Sequence, residues 1–249
     1  MTHVVEAIGL AKYYGAVTAL ENIDFHIAPG EVVGFAGDNG AGKSTLMRTI
    51  AGDVTPSSGE LRIGGRMDPA YSPRRAREIG VEMVYQDLAL CDNLDIYENI
   101  FLGREISRFG LPGLKVLDRP QMLARAEEVL DRLDLHLPSL TEPVSALSGG
   151  QRQLVAIARA MASSPKLVIM DEPTAALSVK AGRPLLQLIR RLPQSGASVM
   201  LVSHRLSDLM ETTDRIYILR RGSIACELKT AETTETEILH AMAGVGEAA

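Results

Sequence analysis

Cysteine is scarce in this chain. Cys91 and Cys226 stand far apart, with neither the spacing of metal ligands nor the density of a disulfide framework. That excludes a stapled extracellular scaffold and makes a reducing compartment the default, with both thiols read as small packing residues. Long apolar runs are missing as well. None approaches the roughly 18 residues that a membrane-crossing helix requires. The best candidate, Leu154 to Ala162, is interrupted by Arg159. The N-terminus lacks a basic-then-apolar signal pattern, so the expectation is a chain that stays inside the cell and spans no membrane. A basic block is absent too: 26 Lys and Arg against 31 Asp and Glu leave a net charge of −5, with the signs interspersed. Nucleic acid is therefore not an expected partner. Once these classes are set aside, 249 residues of ordinary globular composition remain. That suits one large or two small domains with a sizeable core.

What is present centres on Gly37-Asp38-Asn39-Gly40-Ala41-Gly42-Lys43-Ser44-Thr45, which fits G-x-x-x-x-G-K-[ST]. The apolar run Glu31 to Ala36 before it reads as a buried strand, and Thr45 to Ala51 after it has helical spacing. Strand, glycine-rich loop and helix N-terminus together make a phosphate cradle. The glycines let backbone N–H groups approach anionic oxygens closely. The helix start adds unpaired donors and a favourable dipole. Lys43 supplies a point charge to outer phosphates and Ser44 a hydroxyl for Mg²⁺.

The rest of the chain alternates strands and helices. Residues 1 to 30 read as strands, with Ile23, Phe25 and Ile27 alternating at period two behind Leu20. Thr55 to Gly59 is a turn cluster, Leu61 to Ile63 a strand, Pro73 to Ile79 a basic helical turn with solvated charges, and Val81 to Tyr85 a strand ending at Gln86. From about 88 to 160 helical spacing takes over, at Asp95 to Leu102 and at Pro120 to Leu133. In the second of these, Leu123, Ala126, Val129, Leu130 and Leu133 are expected to share the buried face. Phe109 to Gly113 reads as a loop between them. Short apolar strands resume at Leu167 to Met170 and Ser198 to Val202. A hairpin follows over Ile216 to Leu228, then a short helix over 234 to 243. This pattern implies an α/β fold with a mainly parallel sheet buried on both faces. Ligands then gather at the carboxyl ends of the strands, where the phosphate loop, Gln86, Asp171-Glu172 and His204 all fall.

Asp171, closing an apolar strand, has the rigid support that a Mg²⁺ carboxylate needs. Glu172 directly after it can orient or deprotonate an attacking water. Leu147-Ser148-Gly149-Gly150-Gln151 opens another helix, with Ser148 as N-cap and glycines exposing N–H groups. That is a second anion-facing element, and the residues alone do not say how the two meet.

Gly37 to Thr45, Leu147 to Gln151 and Leu167 to Glu172, in this order, resemble the nucleotide-binding subunit of ABC transporters over nearly the whole chain. The resemblance implies a P-loop NTPase fold. It comprises a mainly parallel core, an N-terminal antiparallel β subdomain and a helical subdomain inserted at about 88–160, all within one ATP-binding domain over 1–249. It implies ATP and Mg²⁺, and a head-to-tail dimer with itself or a sister ATPase. Each ATP would lie between one chain's loop (Gly37, Asn39, Gly40, Ala41, Gly42, Lys43, Ser44, Thr45) and the other's Ser148, Gly149, Gly150 and Gln151. By the same resemblance Tyr14 stacks on adenine, and Ser44, Gln86 and Asp171 face the metal. Gln86 also touches the attacking water, Glu172 polarises that water, and His204 and Lys43 contact the γ-phosphate.

A finer resemblance rests on Ser72 to Ala76, Met83 to Leu90, Asn99 to Glu105 and Gly150 to Gln153. These look like the ATPases of bacterial monosaccharide importers of the fructose, ribose and xylose type, the single-domain members above all. It implies separate integral-membrane permease chains, a periplasmic sugar-binding protein acting indirectly, and a peripheral location on the cytoplasmic side of the cell membrane. Two features depart from the pattern: one nucleotide domain where many relatives carry two, and Ala175-Ala176-Leu177-Ser178 where the family usually has Ser-Ala-Leu-Asp. Ser178 can still cap the next helix, and Pro184 is expected to kink that helix or delay its start. Rival readings are an ATPase for another small solute, a soluble ABC protein acting on ribosomes or nucleic acid, and a nucleotide-gated module without hydrolysis. The missing tandem domain and basic extensions weigh against the soluble protein. Intact Lys43, Asp171, Glu172 and His204 weigh against the module.

Overall fold

The computed structural model describes residues 2–108 and 116–245; the loop expected at 109–113 lies outside them. In chain order the strands are β1 (Val5–Tyr14), β2 (Val17–Ile27), β3 (Val32–Ala36), β4 (Ser58–Ile63), β5 (Val81–Val84), β6 (Leu167–Asp171), β7 (Ser198–Val202), β8 (Arg215–Arg220) and β9 (Ser223–Lys229). The helices are α1 (Lys43–Ile50), α2 (Pro73–Glu78), α3 (Ile96–Ile100), α4 (Arg119–Arg132), α5 (Gly149–Met161), α6 (Val179–Arg191), α7 (Leu206–Thr212) and α8 (Glu235–Ala243).

Six strands form the central sheet in the order β5-β6-β7-β3-β8-β9, parallel except for the β8–β9 hairpin at one edge. The continuous apolar runs behave as strands buried on both faces should. In β3, Val32 and Ala36 face one core while Val33 and Phe35 face the other. The same alternation holds through Val168/Met170 against Leu167/Ile169, and Val199/Leu201 against Met200/Val202. One face carries α1 and the antiparallel sheet β2-β1-β4, joined through Phe25, Phe35 and Tyr217, whose ring centroids lie 5.3–5.9 Å apart. The opposite face carries the helical segment together with α5 and α6. Arg104 ties that segment to the sheet, its Nη2 donating to both carboxylate oxygens of buried Glu82 at 2.7 Å.

Two expectations change in detail. On α4 the buried face is set by Met122 with Ala126, Val129, Leu130 and Leu133, and Leu123 is only half-buried. Both spacings fit a helical face, and the contact with the sheet-side core decides between them. Nor does Pro184 delay α6, which starts at Val179 behind Ser178, whose Oγ accepts from the Ala181 N–H at 3.3 Å. Pro184 and Lys180, the residue whose carbonyl would have accepted its missing N–H, are both exposed.

Candidate active site

Register builds the site. Val202 on β7 pairs with Phe35 on β3 and with Asp171 on β6, so three strands end at one level. The segments that follow them, Gly37 to Gly42, Glu172 and Ser203-His204, therefore emerge side by side. Of these and their neighbours, Asn39 to Thr45, Asp171, Glu172, Val202 and His204 line a cleft of about 320 Å³ that also receives Val17, Thr18 and Ala19 from the start of β2, while buried Gly37 lies outside the lining.

The loop owes its shape to its glycines. At Gly37 a Cβ would stand 2.3 Å from the Leu219 carbonyl oxygen. At Gly42, with φ 108°, it would stand 2.7 Å from the Ala19 carbonyl oxygen. No larger residue fits either position without moving backbone. Gly42 is also the N-cap of α1 and offers no side-chain acceptor, so the first N–H groups of α1 are free of a local cap and suit an anion. Lys43 is only 7 % exposed, and its ammonium donates to the carbonyls of Gly37 at 2.6 Å and Asp38 at 3.0 Å. Burial pulls its pKa below the ordinary lysine range. Glu172, Asp38 and Asp171 work in the opposite direction.

Across the cleft, Asp171 is held above the usual aspartate range, first by burial and then by the Glu172 carboxylate beside it; Lys43 and His204 oppose the shift. Glu172 adopts φ +48°, the left-handed region that non-glycine residues seldom occupy. Its N–H donates to the Val202 carbonyl at 2.9 Å, and its Oε1 lies 2.8 Å from His204 Nε2.

These residues suit Mg²⁺. The Ser44 hydroxyl and the Asp171 carboxylate share one cleft, and both are hard oxygen donors. Mg²⁺ takes one or two carboxylates and completes its shell with phosphate and water. The strained ionisation of Asp171 is what a bound cation would relieve.

Not every expected residue lines this cleft. Tyr14 is 49 % exposed, with the Lys12 ammonium 5.1 Å from its ring centroid. It stands at the rim, register partner of cleft-lining Val17. Gln86 is exposed just past β5, at the same sheet end but outside the lining. Ser148 to Gln151 lie outside it too. There Ser148 and Gln151 cap α5 reciprocally, the Ser148 N–H donating to Gln151 Oε1 at 2.9 Å and the Gln151 N–H to Ser148 Oγ at 3.4 Å. Sequence reasoning missed the wall at Val17 to Ala19. Val17 is apolar yet exposed where β2 begins, and only the structure shows it so.

A second groove of about 360 Å³ opens between β5, α5 and the segment around Ala89 and Arg104. Arg159 on α5 holds its lip, donating to the carbonyls of Leu88 at 2.6 Å and Ala89 at 2.8 Å. Among the described residues no helix is long and apolar enough to cross a membrane.

Comparison with known proteins gives concordant results. The ABC transporter family matches residues 20–175. A fructose import ATP-binding protein, FrcA of Rhizobium meliloti, is 44% identical over 98% of this chain and 95% of its own length. A xylose/arabinose import ATP-binding protein, XylG of Sulfolobus acidocaldarius, is 43% identical over 97% of this chain and 94% of its own length. Ribose import ATP-binding protein RbsA 2 of Escherichia coli O157:H7 is 38% identical over 98% of this chain, which spans 47% of that relative. Among solved structures, a nucleotide-free ATP-binding cassette superposes with TM-score 0.81 at 24% identity, covering 98% of both chains. The cassette MJ0796, in a dimeric post-hydrolysis state bound to ADP and Pi, gives TM-score 0.75 at 30% identity over 91% of this chain and 98% of its own.

Proposed function

This chain belongs to the ABC transporter family, and on that premise we propose that it is the ATP-hydrolysing subunit that powers monosaccharide uptake through separate membrane permease chains. The observation that carries the chemistry is the convergence of Lys43, Ser44, Asp171, Glu172 and His204 on one cleft behind a glycine-rich loop. Near-full-length similarity to fructose and xylose/arabinose import proteins supports the sugar.

In this reading the loop N–H groups and Lys43 bind the phosphates of ATP. Ser44 and Asp171 would hold Mg²⁺, which when bound neutralises charge on the β- and γ-phosphate oxygens. Glu172 accepts a proton from, or orients, the attacking water. The imidazole of His204, 2.8 Å from Oε1, keeps that carboxylate aimed and stands ready for the transferred phosphoryl group. Tyr14 at the rim would stack on the base, and Gln86 would reach the metal and water from the same sheet end.

Ser148, Gly149, Gly150 and Gln151 point the reading toward a dimer, since on their own chain they lie outside the cleft. A second copy or sister chain, head to tail, would bring them against its nucleotide. The groove beside Leu88 to Leu90 would receive the permease, so that closure of the dimer moves the membrane chains. That places the protein at the cytoplasmic face of the cell membrane, with a periplasmic sugar-binding protein as indirect partner.

Glu172→Gln tests the chemistry. Radiolabelled ATP should bind with wild-type affinity, while turnover drops at least about 100-fold. Unchanged turnover in that variant removes Glu172 from the mechanism. Co-purification from native membranes tests the role: a polytopic permease in the complex supports import, and ribosomes in its place overturn it.

A further inference from the structure

Glu172 holds a left-handed backbone conformation at φ +48°. For a non-glycine residue that persists only where the surroundings over-determine it. Its own N–H is fixed on the Val202 carbonyl, but that bond leaves open what restrains the chain on the other side, Pro173 to Ser178. Two side-chain contacts do so, and both come from the segment that follows His204. The Thr174 hydroxyl donates to the Asp208 carboxylate, with Thr174 2 % and Asp208 7 % exposed. Arg205 Nη2 donates to the Leu177 carbonyl at 2.9 Å. Arg205 is adjacent to His204, and Asp208 lies one helical turn beyond it on α7. The Thr174 methyl side also lies against α6, where a Cβ at Gly182 would stand 3.5 Å from its Cγ2.

We propose that Thr174 and Asp208, assisted by Arg205, are positioning residues: a buried latch that locks the segment after Glu172 to the segment after His204. The latch keeps the Glu172–His204 pair at its 2.8 Å separation. Neither latch residue lines the cleft, so neither touches nucleotide, and their effect is exerted on the orientation of Glu172 alone. The proposal rests on the hydrolytic reading of Glu172.

The test uses the full chain with Mg²⁺ and ATP. Thr174→Val keeps the shape but strands a buried carboxylate, and that variant can fail to fold. The informative variant is therefore T174V/D208L, which replaces both partners and leaves no buried charge unpaired. Turnover should fall about 10- to 100-fold, with KM for ATP and the number of ATP molecules bound per chain unchanged. Thr174→Ser alone, which keeps both the hydroxyl and Asp208, should retain wild-type turnover. A purely structural role would instead lower bound ATP per chain in step with turnover, and that result overturns the latch. So does wild-type turnover in T174V/D208L. A wild-type chain without turnover, indistinguishable from Glu172→Gln, overturns the hydrolytic reading and the latch together.

Discussion

The two anion-facing elements of this protein are built in opposite ways. Around Gly37 to Thr45 the loop is tied down at fixed points: Gly37 and Gly42 sit where no Cβ fits, and Lys43 is buried on two backbone carbonyls, while Asp38, Asn39, Gly40 and Ser44 between and beside them are exposed. Around Ser148 to Gln151 the chain is exposed or half-exposed, and Ser148 and Gln151 cap each other reciprocally. Those ties give the first its shape within one chain and leave the uncapped N–H groups of α1 free for an anion. Exposure leaves the second free to be completed by something else. A preformed half-site and an open one on a single molecule fit the proposed pairing of two chains.

Breaking the closed half should have the largest effect. Lys43→Ala removes the one ammonium in the cleft, and turnover should fall at least about 100-fold, with weakened ATP binding in a filter assay. Retained binding and turnover would mean that the phosphates lie elsewhere. The open half should respond differently. Gly149 has room on its own chain, its Cβ position 3.7 Å from Leu177 Cδ2, so Gly149→Asp should leave folding and ATP binding by the monomer intact. A carboxylate against a partner's phosphate costs several kcal/mol, and dimerisation of the Glu172→Gln background at saturating ATP should weaken at least about 100-fold. Sedimentation decides; an undiminished dimer would leave Ser148 to Gln151 outside the interface.

The second groove gives a smaller, separable effect. Leu88→Ala with Leu90→Ala should lower sugar uptake about tenfold, as truncating one interface anchor does, while basal turnover of the purified chain stays at the wild-type rate. Loss of basal turnover would show that the segment serves the cleft and not a partner. Asp171→Asn should have the smallest effect, read as stability without nucleotide. Asp171 carries a raised pKa, so the native state binds its proton more tightly than the unfolded chain does. Its favourable contribution is then present below the ordinary aspartate value and is lost as pH rises through the raised one. Neutralising it should therefore raise Tm at neutral pH by up to about 3 °C, with no gain at acid pH. A Tm drop at pH 7 would mean that the attraction of the Lys43 charge outweighs burial.

Much of this was legible in residue order. Strand and helix positions follow from alternation and periodicity. The loop chemistry follows from a motif whose every residue type has a reason. Met122 in place of Leu123 was not legible, because two registers of α4 satisfy the same 3.6-residue period and only the opposing core selects one. The cleft wall at Val17 to Ala19 was not legible either, since nothing local marks an exposed strand start as a binding surface.

Local chemistry along the chain determined the phosphate loop, the carboxylates at the end of β6 and the capped glycines at the start of α5, because each is written within a few consecutive residues. Only tertiary structure decided which of them meet. Parallel register across β3, β7 and β6 levels the strand ends, and so joins residues 39–45, 171–172 and 204 in one cleft while leaving 148–151 outside it. It also set Thr174 against Asp208, a pair 34 positions apart. Contacts at such separations depend on where the sheet brings its connections together, and no periodicity within either segment encodes that.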